Sequence, residues 1–164
     1  MLLELKNVFL NEGEELALSY QMDLSSEDFY GIKPFSSPVE VQVTAKNQAG
    51  AVSLQAEVAF DFSYPCDRCA EEFTKRYQYS FGHMLVTSLY DDSSEEYILV
   101  EDYQLDLDEL LRADILLELP TKFLCRPDCK GICPQCGVNR NRHTCNCVMH
   151  QVDPRLEVLK QLID

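Results

Sequence analysis

The sequence predicts an α+β protein: a mainly antiparallel β-sheet with one packed helix, then a cysteine-rich C-terminal segment and a short terminal helix. Three observations lead there. Apolar and polar residues alternate over 39–45 and again over 52–64, the period of a strand with one buried face. Leu107, Leu110, Leu111, Ile115 and Leu119 recur at helical spacing. Eight cysteines fall into four close pairs, six of them between Cys125 and Cys147. With 164 residues the chain can bury an ordinary hydrophobic core, so cross-links would fix a region rather than the whole fold.

Taken in order, residues 2–9 and 16–22 read as strands, and residues 25–29 as a short helical turn. After the strand at 39–45, Asn47, Gln48, Ala49 and Gly50 supply a turn. In the next strand Val52, Leu54, Ala56, Val58, Phe60, Phe62 and Tyr64 share one face. Pro65 and the pair Cys66/Cys69 follow, and Phe73, Tyr77, Tyr79, Phe81 and Leu85 then resume the alternation, so this pair belongs at the tip of a long hairpin. The run 91–96 is an acidic, serine-containing break, followed by a strand over 97–100. Asp106, with Glu109 three positions on, marks the start of a helix that Pro120 stops. Asp153 and Pro154 open a terminal helix, 153–164, with Leu156, Leu159 and Ile163 on its apolar face. The expected domains are therefore a body over 1–120, with its helix near 106–119; a cysteine-rich segment over 121–150, tied to the 66–69 hairpin tip; and the 153–164 helix.

Charge is unevenly distributed. Residues 1–120 hold 24 acidic and 7 basic side chains, whereas residues 121–164 hold 4 and 7. The body should repel phosphate and favour basic partners, and any nucleic-acid contact belongs on the tail. The N-terminal residues lack the basic start and apolar run of a signal peptide, and no stretch approaches a membrane span. The expectation is a soluble, cytoplasmic protein without a membrane partner or small-molecule substrate. In a reducing compartment, paired cysteines favour metal ligation over disulfides.

Two tetrahedral four-thiolate sites would use every cysteine: Cys66, Cys69, Cys125, Cys129, Cys133, Cys136, Cys145 and Cys147. The expected cofactor is two Zn2+ ions, and the tail is expected to form a zinc knuckle. If close pairs stay together, three pairings of pairs exist. Joining Cys133/Cys136 to Cys145/Cys147 closes an eight-residue loop locally and leaves Cys66/Cys69 to meet Cys125/Cys129 across 55 residues. The main rival joins the two Cys-x-x-Cys pairs. His143 and His150 flank the last pair but are not needed to complete either site, and His83 fits a packed strand residue. No His or carboxylate motif accompanies the thiols as a catalytic zinc would require, and Cys66/Cys69 lacks the helical setting of a redox pair, so an enzyme is not expected.

The chain resembles the YceD family, described as large-ribosomal-subunit RNA accumulation proteins. The likeness lies in Cys66-Asp67-Arg68-Cys69 between two strands, the acidic segment leading to the Asp106 helix and Leu119-Pro120, and the run Cys129-Lys130-Gly131-Ile132-Cys133-Pro134-Gln135-Cys136-Gly137-Val138-Asn139. It implies a non-enzymatic factor needed for normal levels or maturation of large-subunit ribosomal RNA. Lys122, Arg126, Lys130, Arg140 and Arg142 are the candidate RNA contacts, with a basic ribosomal protein as the other possible partner of the acidic body. Two tetrathiolate zinc sites would add about -4 of charge beside that patch. The alternative function is a zinc-thiolate redox sensor that releases metal on oxidation.

Overall fold

The computed structural model describes residues 1–88 and 97–147. In chain order the elements are β1 (Leu2–Glu4), α1 (Lys6–Leu10), β2 (Glu15–Met22), β3 (Val39–Gln48), β4 (Ala51–Pro65), β5 (Glu72–Val86), β6 (Tyr97–Leu99), a 3-10 turn (Glu101–Tyr103), β7 (Gln104–Asp106) and α2 (Leu107–Glu118). The chain divides into two compact units: a body of Met1–Tyr64 and Glu72–Phe123, and a cysteine-rich unit of Pro65–Glu71 with the segment from Leu124 onward. The expected helix at 153–164, His150 and the acidic run 91–96 lie outside the described residues. Among the described residues no helix is long and apolar enough to cross a membrane.

The body is mostly sheet. Its five strands run in the order β2-β3-β4-β5-β6. β2 pairs antiparallel with β3, and β3 with β4, as the alternating pattern requires. Every second residue of β3 and β4 is buried, from Val39 to Ala45 and from Val52 to Phe62. α2 contributes Leu107, Leu111 and Ile115 to the same core, and Asp106 caps it by accepting the Glu109 N–H at 3.3 Å. His83 on β5 is a half-buried strand residue whose Nε2 lies 2.8 Å from Asp114 Oδ2 on α2.

Two local expectations change. The predicted strand over 2–9 is a strand only at β1, which pairs antiparallel with β7, because Leu5, Val8 and Phe9 have the i, i+3, i+4 spacing of a helical face. Leu5 and Val8 are buried, and Phe9 N–H donates to the Leu5 carbonyl at 3.0 Å. Residues 25–29 form no helical turn; Asp23 Oδ1 accepts the Ser25 N–H at 2.9 Å instead, an Asx turn that competes with helix formation. The strand expected near 97–100 is β6, which joins the mainly antiparallel sheet parallel to β5.

Aromatic rings gather at the end of the core from which the chain leaves the body. Phe123 stacks on Phe62 with ring centroids 5.0 Å apart and lies 4.7 Å from the Tyr64 ring. Tyr64 and Phe123 are body residues, and each precedes a cysteine, Cys66 or Cys125, by two positions.

Candidate metal centres

The cysteine-rich unit is built from turns. At the hairpin tip Cys66 N–H donates to the Glu71 carbonyl at 2.9 Å, and the Cys66 carbonyl accepts Ala70 N–H at 2.8 Å. This turn points both sulfurs of the pair to one side. Arg68 then holds the neighbouring segment: its Nη1 donates to the Cys129 carbonyl, and its own carbonyl accepts Ile132 N–H, each at 2.9 Å. Gly131 makes that approach possible. It sits at φ +72°, and a Cβ there would lie 2.8 Å from the Arg68 carbonyl oxygen. The second turn repeats the device, with Cys133 N–H on the Val138 carbonyl, Gly137 N–H on the Cys133 carbonyl, and Gly137 at φ +71°.

These turns bring the eight sulfurs into two tetrads, Cys66/Cys69/Cys125/Cys129 and Cys133/Cys136/Cys145/Cys147. Within each, the sulfurs lie within 4.8 Å of one another. This is the pairing of pairs that local loop closure favours, and the rival union of the two Cys-x-x-Cys pairs does not occur. The long-range meeting is helped by the folded body, whose Tyr64–Phe123 contact has already closed most of the 55-residue loop. Neither tetrad includes a histidine; His143 lies in the loop between Cys136 and Cys145.

The donor set fits a metal. A tetrahedral metal–thiolate bond of about 2.3 Å sets the sulfur–sulfur edge at about 3.8 Å. Cys66 to Cys129 and Cys69 to Cys125 each measure 3.8 Å. All eight cysteines are free thiols; a disulfide would bring two sulfurs to about 2.05 Å. The surroundings agree. Among the described residues of this unit the buried side chains are Cys66, Cys69, Cys129 and Cys133, and no leucine, isoleucine, valine or phenylalanine is buried. A segment this short without apolar burial cannot offset its chain entropy and needs a cross-link at its centre.

Electrostatics favour the thiolate at one or more sulfurs of each tetrad. Burial opposes a Cys66 thiolate, but backbone N–H groups of Cys125, Arg68 and Cys69 outweigh it and bring the thiol down to about 6. The Cys136 and Gln135 N–H groups bring Cys133 down to about 6 as well. Burial, with hydrogen bonding to Cys66, Cys129 and Cys69, pushes Cys125 up to about 12. Hydrogen bonding to Cys136, with burial, does the same to Cys147. Hydrogen-bond donors thus favour the thiolate at some sulfurs while burial and neighbouring thiols oppose it at others, and a divalent cation would favour the thiolate at all four. Cys129 is held below the usual thiol range, because N–H donors from the Asn141 side chain and Gly131 outweigh its burial.

The five basic candidates do not form one set. Lys122 belongs to the body, the other four to the cysteine-rich unit. Arg126 Nη2 donates to Asn141 Oδ1 at 2.8 Å and its Nε lies 3.5 Å from Asp128, and Arg142 pairs with Glu71 at 2.7 Å. Lys130 is exposed and Arg140 half-buried, and among the described residues neither has an ion-pair partner. Three residues that hold the site, Arg68, Gly131 and Asn141, were not singled out by sequence. Gly131 was the findable one, since a glycine between two ligand pairs often marks a positive φ.

Residues 54–163, from within β4 through both tetrads, match the YceD family, described as "Large ribosomal RNA subunit accumulation protein YceD". The chain belongs to the YceD family. It is 28% identical over 129 residues to a protein named "Uncharacterized protein YlbN" of Bacillus subtilis (strain 168), covering 77% of this chain and 75% of that one. It is 29% identical over 134 residues to "Uncharacterized protein Rv2926c" of Mycobacterium tuberculosis (strain ATCC 25618 / H37Rv). That match takes in 76% of this chain and 62% of the mycobacterial protein, so the chain spans less than two thirds of that relative. No solved structure matches. This YceD family member therefore carries two cysteine tetrads that could hold metal ions, both inside the family match.

Proposed function

We propose that the chain is a non-enzymatic, cytoplasmic, zinc-binding factor for accumulation of large-subunit ribosomal RNA, acting through that RNA or through a basic ribosomal protein. The observation that carries the reading is the family match over 54–163, which includes the hairpin tip and both tetrads. Zinc is the ion that best suits eight thiolates, because it takes four sulfurs tetrahedrally without redox chemistry. Bound, it would supply rigid cross-links in a unit whose described residues bury no leucine, isoleucine, valine or phenylalanine. The chain's own groups do the rest. Arg68 and Gly131 dock the hairpin tip on the 129–132 segment, and the acidic body offers a field that attracts basic partners. Among the described residues of the cysteine-rich unit, Lys130 and Arg140 are the candidate cations left for phosphate. Lys122, Arg126 and Arg142 are the weaker candidates: Lys122 lies in the body, and the two arginines already hold Asn141 and Glu71.

The test is depletion with complementation. Loss of the protein should lower mature large-subunit RNA, wild type should restore it, and a Cys66→Ser/Cys133→Ser variant should not. Full restoration by that variant rejects the role of the metal, and unchanged RNA on depletion rejects the function. Recovery of bound RNA and protein from a pull-down, with Lys130→Glu/Arg140→Glu as control, separates the two partners. The exposed sulfur of Cys136 favours the redox-sensor reading as the second choice. Retention of two zincs under mild oxidant argues against it.

A further inference from the structure

The two tetrads are linked by more than the chain between them. Residues 137–144 close the second tetrad, yet Asn141 within that loop turns its side chain to the first. Its Nδ2 donates to Cys129 Sγ at 3.2 Å. Its Oδ1 accepts the Lys130 backbone N–H and Arg126 Nη2, each at 2.8 Å. Rotating the carboxamide by half a turn would set its NH2 against those two donors, so the network fixes N–H toward the sulfur. The backbone reinforces the placement. Asn141 N–H donates to Asn139 Oδ1 and Arg140 N–H to the Gly131 carbonyl, each at 2.9 Å, and Asn139 bridges to Ile132.

We propose that Asn141 is an outer-sphere partner of the first metal centre supplied by the loop of the second, so that the two tetrads load metal cooperatively. This rests on reading both tetrads as metal sites. A donor to a ligating sulfur orients the ligand and stabilises its charge, and losing such a partner typically costs about 10- to 100-fold in metal affinity. Asn141 can serve only while its loop is closed, and metal in the second tetrad closes it. Coupling is reciprocal, so metal at the first centre favours the second by the same factor.

The experiment titrates Zn2+ on the full chain against a competing chelator, with Cys69→Ser identifying the first centre's contribution. Asn141→Ala should weaken the first centre by about 10- to 100-fold, and in the Cys69→Ser background, where the first centre is disabled, it should leave the second within a few-fold. Cys145→Ser, which disables the second centre, should weaken the first as much, and the double variant no further. Asn141→Asp keeps the acceptor and the size but removes the donor, so it guards against a merely misfolded loop and should also weaken the first centre. First-centre affinity unchanged in Asn141→Ala or Asn141→Asp, or additive losses in the double variant, overturns the coupling. A wild-type chain that binds no zinc overturns the metal reading itself; two bound zincs with an indifferent Asn141 overturn only the coupling.

Discussion

In the body, Phe60, Phe62, Leu54, Leu107 and Ile115 are all at most 1% exposed, and their burial holds sheet and helix together. Among the described residues of the cysteine-rich unit the buried side chains are those of cysteines, and the backbone around them is turns rather than ladders. One region thus draws its stability from apolar area removed from water, the other from the chemistry of its donor atoms. The difference teaches where each is vulnerable. A core residue deleted from the body leaves a cavity that neighbours partly fill, whereas a ligand deleted from a tetrad leaves nothing to collapse upon.

The largest expected effect comes from stripping metal. Structural zinc sites contribute about 10 kcal/mol or more of apparent folding energy, so chelation should abolish hydrogen-exchange protection of Ile132, Cys133, Gly137 and Arg140 while the β3–β4 ladder keeps its own. Loss of protection across both regions would break the comparison. Next, Phe60→Ala should cost the body about 3–5 kcal/mol by denaturant melt, with zinc content still two per chain; a fall in zinc content would show that the units are not separately stabilised.

Smaller effects sharpen the picture inside the cysteine-rich unit. Gly131 and Gly137 share a left-handed backbone, but a Cβ on Gly131 meets the Arg68 carbonyl oxygen at 2.8 Å whereas one on Gly137 meets nothing within 4 Å. Gly137→Ala should cost about 1–2 kcal/mol for conformation alone. Gly131→Ala should cost distinctly more, read as weaker zinc binding at the first tetrad; equal effects would mean that the close approach is unimportant. The smallest change is Asp106→Ala in the body, expected to lower stability by about 1 kcal/mol through loss of the α2 cap, with no change in zinc affinity.

Most of the sheet was legible because β3 and β4 alternate and β5 largely does, and α2 because its cap and its leucines agree. The misreadings have local causes. Residues 2–9 contain both a strand-like start and the Leu5, Val8, Phe9 helical spacing, and only the pairing of Leu3 with Leu105 and the burial of Leu5 separate the two. Residues 25–29 read as a helical turn, but the side chain of Asp23 just before them accepts the Ser25 N–H in an Asx turn. The direction in which β6 pairs was never legible, since three residues carry no signature of it and it is set by where the chain returns. At the site, the ligand types could be read, but Arg68 and Asn141 looked like ordinary polar loop residues.

By itself, the sequence determined the strand and helix periods, the α2 cap and the grouping of thiols into close pairs, because each depends on residues within a few positions of one another. The tertiary structure decided that Cys66/Cys69 meets Cys125/Cys129, that Gly131 lies under the Arg68 carbonyl, and that Asn141 faces Cys129. The first two join segments up to 63 residues apart, a loop that the contact of Tyr64 with Phe123 shortens, and the third joins residues 12 apart whose side-chain direction no local pattern fixes.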